Sequence, residues 1–259
     1  MIAKKLTKIL SDKTSGSFEL LLELHNHLKK EQKIIQLFPE IIDLAKNQLS
    51  SFRAIQNYLE DMKSTQLKDK TLDHFFKKYD KKFTDPFDKL FDKSKSILKK
   101  FDHIITISNS KTVYEILAKL KKINPNLKVT VCESRPKLEG RVLAKNLLRV
   151  NIHVKLITEA MIYQSVQKCN AALVGADIIL KNGNIVNKVG SSLLATVCKN
   201  HKVPFYVVAN KNKLSSANQF SKQAMPTKEI WRYPDKKLEI KNYYFEEVDQ
   251  SLITKIILD

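Results

Sequence analysis

The hydrophobic period of the chain changes near Phe101, and this change constrains the fold more than any other feature. Beyond it, short runs rich in β-branched residues alternate with amphipathic segments of ten to fifteen residues. Such alternation is typical of α/β proteins with a parallel sheet. Strands are predicted at 103–107, 127–132, 152–157, 171–175 and 204–209. Helices are predicted in the gaps, at 111–122, 140–149, 159–168 and 190–200.

The first 100 residues follow a helical period instead, with patterns at 18–28, 36–62 and 74–98 and no readable strand. We therefore predict a helical domain at 1–100 followed by an α/β domain at 101–259. An aromatic stripe in the third pattern, interrupted near Pro86, is interpreted as core packing, with base stacking as the alternative. Its members are Phe75, Tyr79, Phe83, Phe87 and Phe91.

The formal net charge of +19 raises the question of a polyanionic partner. Only five of the 46 basic residues are arginines, and lysine lacks the bidentate fork that reads bases and phosphates. A lysine-rich solvated surface is therefore the preferred interpretation, and a nucleic-acid partner is the weaker alternative.

Targeting and metal signals are not readable in the sequence. The opening stretch MIAKKLTKIL carries a charge every few residues, so it predicts neither a secretory signal nor a membrane span, and the cytoplasm is the expected location. Cys132, Cys169 and Cys198 are widely separated, and no histidine lies at metal-ligand spacing from them. We expect no disulfide, no bound metal and no cofactor.

The ends of the predicted strands are the candidate positions for chemistry, because open parallel sheets bind ligands beyond the carboxyl ends of their strands. Ser108 follows the first strand, in a Ser-Asn-Ser-Lys sequence whose Ser110 can cap the next helix while backbone N–H groups face an anion. The loop 12–17 also precedes a helix, so it predicts either an oxyanion nest or a simple cap.

Two arginines follow the second strand and form a candidate phosphate clamp. Arg135 and Arg141 lie six residues apart, and Gly140 between them allows a close backbone approach. Arginine binds phosphate in a bidentate manner. A structural salt bridge to Glu133 or Glu139 is the alternative.

The stretch from Val174 to Gly190 holds three of the five glycines beside residues that suit a sugar-phosphate pocket. Asp177 follows the fourth strand and is a candidate general acid or hydroxyl anchor. The dipeptide Asn182-Gly183 predicts a hairpin. Asn187 and Lys188 are predicted to open the next helix, where a cation opposes the helix dipole, so a bound anion is inferred rather than an ordinary surface lysine.

These motifs, taken in order, resemble one known family. SerArgPro, GluGlyArg, GlyAlaAsp, AsnGly, AsnLysValGly and ProPheTyrValValAla are similar to motifs of the translation initiation factor 2B alpha/beta/delta regulatory subunits. Ribose-1,5-bisphosphate isomerase and methylthioribose-1-phosphate isomerase are the metabolic relatives. The loop at 12–17 and the closing stretch from Tyr243 to Asp259 extend the resemblance over nearly the whole chain. It implies an N-terminal helical domain, a Rossmann-like α/β domain and a homodimer formed through the latter.

The resemblance also implies roles for individual residues. The isomerases of the family use a cysteine after the first α/β strand and the aspartate of GlyAlaAsp. Asp177 matches that aspartate, whereas Ser108 occupies the cysteine position. A thiol has an ordinary pKa near 8.5 and is readily ionised, while a serine hydroxyl needs its own activating base. Cys132 on the neighbouring strand is a substitute thiol only if it is not simply buried.

The residues implied for holding a sugar phosphate are retained. They are Gly16, Ser17, Arg135, Arg141, Asp177, Asn187 and Lys188. The sequence therefore predicts a regulatory subunit that binds a sugar phosphate or nucleotide without turnover and contacts translation initiation factor 2 or its exchange factor. The alternative is a ribose-1,5-bisphosphate isomerase in which Asp177 and Ser108 are the catalytic residues.

Overall fold

The computed structural model describes residues 2–12, 15–31, 36–65, 67–84, 87–233 and 235–259. Six helices come first, and the described residues before 101 contain no strand, as predicted. The pattern at 36–62 forms two helices rather than one, with the break at 49–52, and the break predicted near Pro86 lies outside the described residues. The helices are α1 (Ile2–Ser11), α2 (Ser17–Lys30), α3 (Phe38–Gln48), α4 (Arg53–Ser64), α5 (Asp69–Thr84) and α6 (Asp88–Leu98).

Helices α1 to α5 share one apolar core. Leu24 and Leu28 of α2 and Ile55 and Leu59 of α4 are completely buried, and their i, i+4 spacing gives each helix one apolar face. The aromatic stripe packs in cores: Phe75 and Tyr79 are buried among α1 to α5, and Phe83 packs against them. The core interpretation of the stripe is therefore confirmed over these residues.

A buried histidine within this helical core predicts a pH dependence of stability. His25 is fully buried, 3.2 Å from the Tyr58 hydroxyl through Nδ1 and 3.1 Å from Asp80 through Nε2. Burial lowers the pKa of His25 below its ordinary value of 6.5, and Asp80 only partly opposes this. The unfolded chain therefore binds a proton more readily at this position than the folded chain does. The free energy of unfolding has its full value above about pH 6.5 and falls as the pH drops below that value.

The substitution His25→Phe is expected to flatten that fall by up to about 1.4 kcal/mol per pH unit, the value for one proton. Urea denaturation between pH 5 and 8 measures the slope. The exposed His153 supplies the matched control, because His153→Gln leaves the core untouched. An unchanged slope in His25→Phe would show that other groups carry the pH dependence.

The second half of the chain is built on a six-stranded parallel sheet. Its strand order is β3, β2, β1, β4, β7, β9. This is the doubly wound order, in which β2 and β3 lie on one side of β1 and the later strands lie on the other side. The pairing is regular, with Ile104 of β1 opposite Val129 of β2 and Ala171 of β4. The strands of this sheet are β1 (His103–Ile107), β2 (Lys128–Cys132), β3 (His153–Ile157), β4 (Ala171–Val174), β7 (Phe205–Ala209) and β9 (Lys255–Leu258).

Helices cover both faces of this sheet. Leu117 and Leu143 pack with α6 on one face, and Ile162 and Leu194 pack on the other. The inner strands β2, β1, β4 and β7 are consequently buried on both sides, which fits their near-continuous apolar sequences, whereas the edge strand β3 is mostly exposed. Among the described residues no helix is long and apolar enough to cross a membrane. The helices of this half are α7 (Lys111–Ile123), α8 (Gly140–Arg149), α9 (Ile162–Val166) and α10 (Ser191–Asn200).

A small antiparallel sheet joins β5 (Ile178–Ile179), β6 (Ile185–Lys188) and β8 (Phe245–Val248). The hairpin predicted at Asn182-Gly183 is confirmed, because Ile179 pairs with Ile185 and Gly183 has a positive φ of 86°. The predicted fold class, a helical region followed by a Rossmann-like parallel sheet, is likewise confirmed. The predicted boundary at residue 100 stays a prediction, although α6 already packs on the sheet.

Candidate functional site

A cavity lies at the carboxyl ends of β1, β4 and β7, where doubly wound sheets bind their ligands. It has an empty volume of about 1140 Å³, part of which is open to solvent. The helical half contributes residues around the start of α2 and around 48–54, and the sheet contributes 108–112, 175–177 and 209–213. Lys211 of the last range is not itself a lining residue. Of the predicted site residues, the cavity is lined by Gly16, Ser17, Ser108, Asp177, Asn187 and Lys188.

Asp177 faces a buried lysine that sequence reasoning missed. The Asp177 carboxylate lies 3.7 Å from the Lys213 ammonium, which also donates a hydrogen bond to the Ser17 hydroxyl. Burial raises the pKa of Asp177 and lowers the pKa of Lys213, while each group opposes the shift of the other. Lys213 lies in the turn after β7, so extending the strand-end rule to that strand would have found it.

Lys188 forms a second buried ion pair in the same cavity. Its ammonium lies 2.7 Å from Glu139 Oε1 and 4.9 Å from the centre of the Tyr244 ring. Burial raises the pKa of Glu139, and Lys188 opposes that rise. The other oxygen of Glu139, Oε2, has no hydrogen-bond partner among the described residues, so an acceptor is left for a ligand hydroxyl or amine.

The prediction that Asn187 and Lys188 open a helix is wrong. Both residues belong to β6, and α10 begins only at Ser191 after Gly190, whose φ is 99°. The positive end of α10 is satisfied internally, because Glu246 Oε1 accepts the N–H groups of Gly190 and Ser192 at 2.8 Å each. The Glu246 carboxylate therefore stabilises the start of α10, and an anion bound near Lys188 stays a prediction.

The start of α7 forms another wall of the cavity. Ser108 follows β1 with a positive φ of 73°, and its N–H donates to the Ser134 hydroxyl at 2.8 Å. The predicted cap is confirmed, since Ser110 Oγ accepts the Val113 N–H at 3.3 Å. A Cβ at Gly175 would lie 2.8 Å from Ser110 Oγ, so a larger residue there would displace the side chain that forms this cap.

The start of α2 approaches from the helical half. Gly16 is its N-cap and makes no side-chain cap, so the first N–H groups of α2 lie at the cavity. Asp12 stabilises the preceding loop by accepting both the N–H and the hydroxyl of Ser15. Lys13 and Thr14 of the predicted nest lie outside the described residues. A Cβ at Gly16 would lie 3.0 Å from the Asn109 carbonyl, so α2 and the start of α7 are in close contact.

The structure does not bring the two predicted arginines into this cavity. Arg141 binds Glu133 with two hydrogen bonds, at 2.7 Å and 3.2 Å, so the salt-bridge alternative is the one observed. Arg135 is exposed, and its N–H lies 3.5 Å from Glu159 Oε2. The close approach that Gly140 permits is to the backbone of Cys132.

The cysteines do not supply a thiol to the cavity. Cys132 is completely buried and is not among its lining residues, and burial raises the pKa of its thiol. Burial raises the pKa of Cys169 to about 11 and that of Cys198 to about 12. Among the described residues no group of three or more His, Cys, Asp or Glu side chains is arranged to hold a metal ion.

The arrangement has the chemistry of a site for a phosphorylated, hydroxyl-bearing ligand. Residues at the starts of two helices, α2 and α7, line one cavity together with Lys213, and helix starts favour anions. Asp177 and Glu139 supply carboxylate oxygens that accept hydrogen bonds from hydroxyl groups.

Comparison with known proteins identifies the family. The model of the initiation factor 2 subunit family matches residues 2–259, so the chain belongs to this family, and the predicted resemblance is confirmed. The chain is 35% identical over 158 residues to a putative translation initiation factor eIF-2B subunit 2-like protein of Pyrococcus furiosus, covering 61% of this chain and 56% of that protein. It is 32% identical over 117 residues to ribose 1,5-bisphosphate isomerase of Archaeoglobus fulgidus, covering 45% of this chain and 37% of that protein. The matches thus span about half, or less, of the curated relatives' length.

Solved structures share the fold over nearly the whole chain. The structure of translation initiation factor eIF-2B from Pyrococcus horikoshii superposes with a TM-score of 0.80 at 23% identity, covering 99% of this chain and 94% of that one. The 5-methylthioribose 1-phosphate isomerase of the same organism superposes with a TM-score of 0.67 at 19% identity, covering 99% of this chain and 76% of that one. A protein named as translation initiation factor eIF-2B and one named as an isomerase thus share this fold.

Proposed function

We propose that this protein is a regulatory subunit of the initiation factor 2B type that binds a phosphorylated sugar or nucleotide without converting it. One feature of the cavity supports the proposal: it contains Asp177 and buried cations, but has Ser108 at the position where the family resemblance implies a cysteine in the isomerases. Cys132, the one substitute thiol considered from the sequence, is buried outside the cavity lining. The cavity thus holds the groups that bind a ligand and lacks a readily ionised thiol.

The ligand's phosphate is assigned to the side of the cavity formed by Ser17 and Lys213. A helix start and an ammonium act together there, and both favour a dianion. The sugar hydroxyls then lie toward Asp177 and Glu139. Asn187 and Lys188 complete this polar side, and Asn187 is oriented by donating to the Ser191 hydroxyl at 2.9 Å. Arg135 precedes α8 and Arg141 lies in the first turn of α8, outside the cavity lining, so their contact with a ligand stays a prediction.

The protein's partners are inferred from its relatives. A tetrameric complex of the beta and delta subunits of eIF2B from C. thermophilum shares the fold, with a TM-score of 0.78 at 15% identity. We infer that this chain forms a homodimer and assembles in the cytoplasm with translation initiation factor 2 or subunits of its exchange factor. Affinity purification of the tagged chain from its native cells is expected to recover such a component, and recovery of none would contradict this part of the proposal.

Binding and turnover are separated by one experiment. Ribose 1,5-bisphosphate is incubated with the purified chain while the sugar C1 and C2 signals and the phosphorus line widths are followed by NMR. Saturable broadening of the phosphorus lines without product is expected. Conversion to ribulose 1,5-bisphosphate would instead establish the isomerase, which the relative in Archaeoglobus fulgidus makes the competing function.

Should product form, Asp177→Asn decides whether the cavity is responsible. Asparagine keeps the shape of the side chain but neither takes up nor releases a proton. An isomerase acting in this cavity would lose turnover in Asp177→Asn. Turnover that persists in the variant would point to a contaminating enzyme.

A further inference from the structure

A mostly exposed loop between β7 and β8 is held by hydrogen bonds where its two ends meet. Ala224 and Tyr243 form an antiparallel bridge, and the Met225 N–H donates to the Asn242 carbonyl at 2.8 Å. The side-chain amide of Asn242, which is 3% exposed, donates to the Pro226 carbonyl at 2.9 Å. The two ends of the loop are therefore held side by side by these hydrogen bonds.

A second set of contacts fixes the outer part of the loop. Glu229 accepts hydrogen bonds from the Tyr244 hydroxyl and from the Asn242 amide, and it lies 3.1 Å from the Lys137 ammonium. The Trp231 N–H then donates to the Thr227 carbonyl at 3.2 Å. The backbone at Trp231 is thus positioned before any partner binds.

The loop presents a stacked pair of aromatic rings to solvent. The rings of Trp231 and Tyr233 lie 4.7 Å apart, with an angle of 14° between their planes. Trp231 is 56% exposed and Tyr233 is 52% exposed. Among the described residues this is the one ring pair that stacks, whereas the other pairs are tilted or edge-on. Two parallel rings facing water offer flat surfaces to which a further planar group can be added.

Exposed cations flank these rings in the sequence. Lys228 precedes Trp231, Arg232 lies between the two rings in sequence, and Lys236 and Lys237 follow, all four being exposed. None of the four forms an ion pair within the part of the chain that the structure describes. The acidic neighbours are engaged: Glu229 binds Lys137, and Asp235 accepts the Lys237 N–H at 2.7 Å. The surface around the rings is consequently positive, in a chain of net charge +19.

We propose that Trp231, Tyr233 and the cations of residues 228–237 form a binding surface for single-stranded nucleic acid. Unpaired bases stack on aromatic rings with little regard to sequence, and lysine and arginine neutralise the phosphates between them. Duplex bases are already stacked on each other and present no face to Trp231, so a single strand is the occupant that this surface fits. Trp231 and Tyr233 are not among the residues that line the cavity, although Met225 and Tyr244 at the base of the loop are.

The test uses the chain's single tryptophan as its reporter. A 12-residue oligouridylate is titrated into the full-length protein while Trp231 fluorescence is recorded, and saturable quenching that weakens with added salt is expected. An oligothymidylate of the same length tests whether single-stranded DNA binds in the same way. A duplex of the same length is expected to quench weakly, since its bases are not free to stack.

Variants then separate stacking from bulk charge. By fluorescence anisotropy of the labelled oligouridylate, Trp231→Leu is expected to raise the Kd about tenfold, in the range for loss of one stacked base. Arg232→Ser, with both rings intact, should reduce the slope of log Kd against log salt by about one. Tyr163 is equally exposed, at 56%, but lies against His201, so Tyr163→Leu is the matched control and should leave the Kd unchanged.

Three results would overturn the proposal. The first is an absence of quenching, and the second is a Kd in Trp231→Leu equal to that of the unmodified chain, which would place binding on other lysines. The third is that Trp231→Leu changes the sedimentation of the protein but leaves its binding of oligouridylate unaltered. That result would assign the rings to a protein partner or a second copy of this chain.

Discussion

Replacing Lys213 with methionine is expected to weaken the binding of ribose 1,5-bisphosphate about 100-fold, measured by calorimetry. A hydrogen bond to a charged group contributes about 1.5 to 3 kcal/mol, and each 1.4 kcal/mol is tenfold in affinity. The variant loses the ammonium and also leaves Asp177, 3.7 Å away, without its compensating charge, so the cavity becomes more negative toward a phosphate. Methionine keeps nearly the same length and fills the same space.

Lys211 provides the matched control, because it lies in the same short turn but is exposed. Lys211→Met should bind the bisphosphate like the unmodified protein. The double variant Lys213→Met/Asp177→Asn removes both buried charges, which guards against unfolding caused by an unpaired carboxylate. Wild-type affinity in the folded double variant would show that the phosphate does not bind beside Lys213.

Replacing Gly140 with alanine is expected to lower the free energy of unfolding by about 3 kcal/mol, the upper part of the range for overpacking. A Cβ at this position would lie 1.9 Å from the Cys132 carbonyl oxygen and 3.0 Å from the Glu133 carbonyl carbon. Both are backbone atoms held in or beside β2, so neither swings aside as a side chain would. The clash outweighs the gain of about 1 kcal/mol that alanine normally gives a helix over glycine.

Thermal unfolding followed by circular dichroism measures this effect, and a fall of about 6 to 12 °C corresponds to it for a chain of this size. Lys145→Ala lies on the exposed face of the same helix and should change the stability by less than about 0.5 kcal/mol. An equal melting temperature for Gly140→Ala and the unmodified chain would mean that α8 shifts away from β2 without penalty.

Much of the sheet was predictable because each strand has a local signal. The strands beginning at His103, Lys128 and Phe205 are apolar runs bounded by turn or polar residues, and the structure places each within one residue of the predicted bounds. β5, with two residues, is too short to show a period of its own. β8 contains two glutamates, so it lacks the continuous apolar run that predicts a strand. β9 lies in the closing stretch, which was interpreted only as part of the family resemblance.

The site was only partly predictable because its decisive contacts join distant residues. The strand-end rule found Ser108 and Asp177 from local sequence, and the cavity contains both. The pairing of Lys188 with Glu139 and the capping of α10 by Glu246 depend on how strands from different parts of the chain align. Local reasoning therefore assigned Lys188 to a helix start and left Arg141 with two possible partners, of which Glu133 is the one observed.

The contact between Ser17 and Lys213 joins positions separated by 196 residues. Ser17 lies at the start of α2, and Lys213 lies in the turn after β7. A metabolite that bound beside this contact, as proposed, would connect the two halves of the chain reversibly, because it would bind the folded state and have no site in the unfolded one. Occupancy at 100 times the dissociation constant would stabilise the fold by about 2.7 kcal/mol. Resistance to cellular proteases, and hence the abundance of the protein, would then rise and fall with the supply of that metabolite.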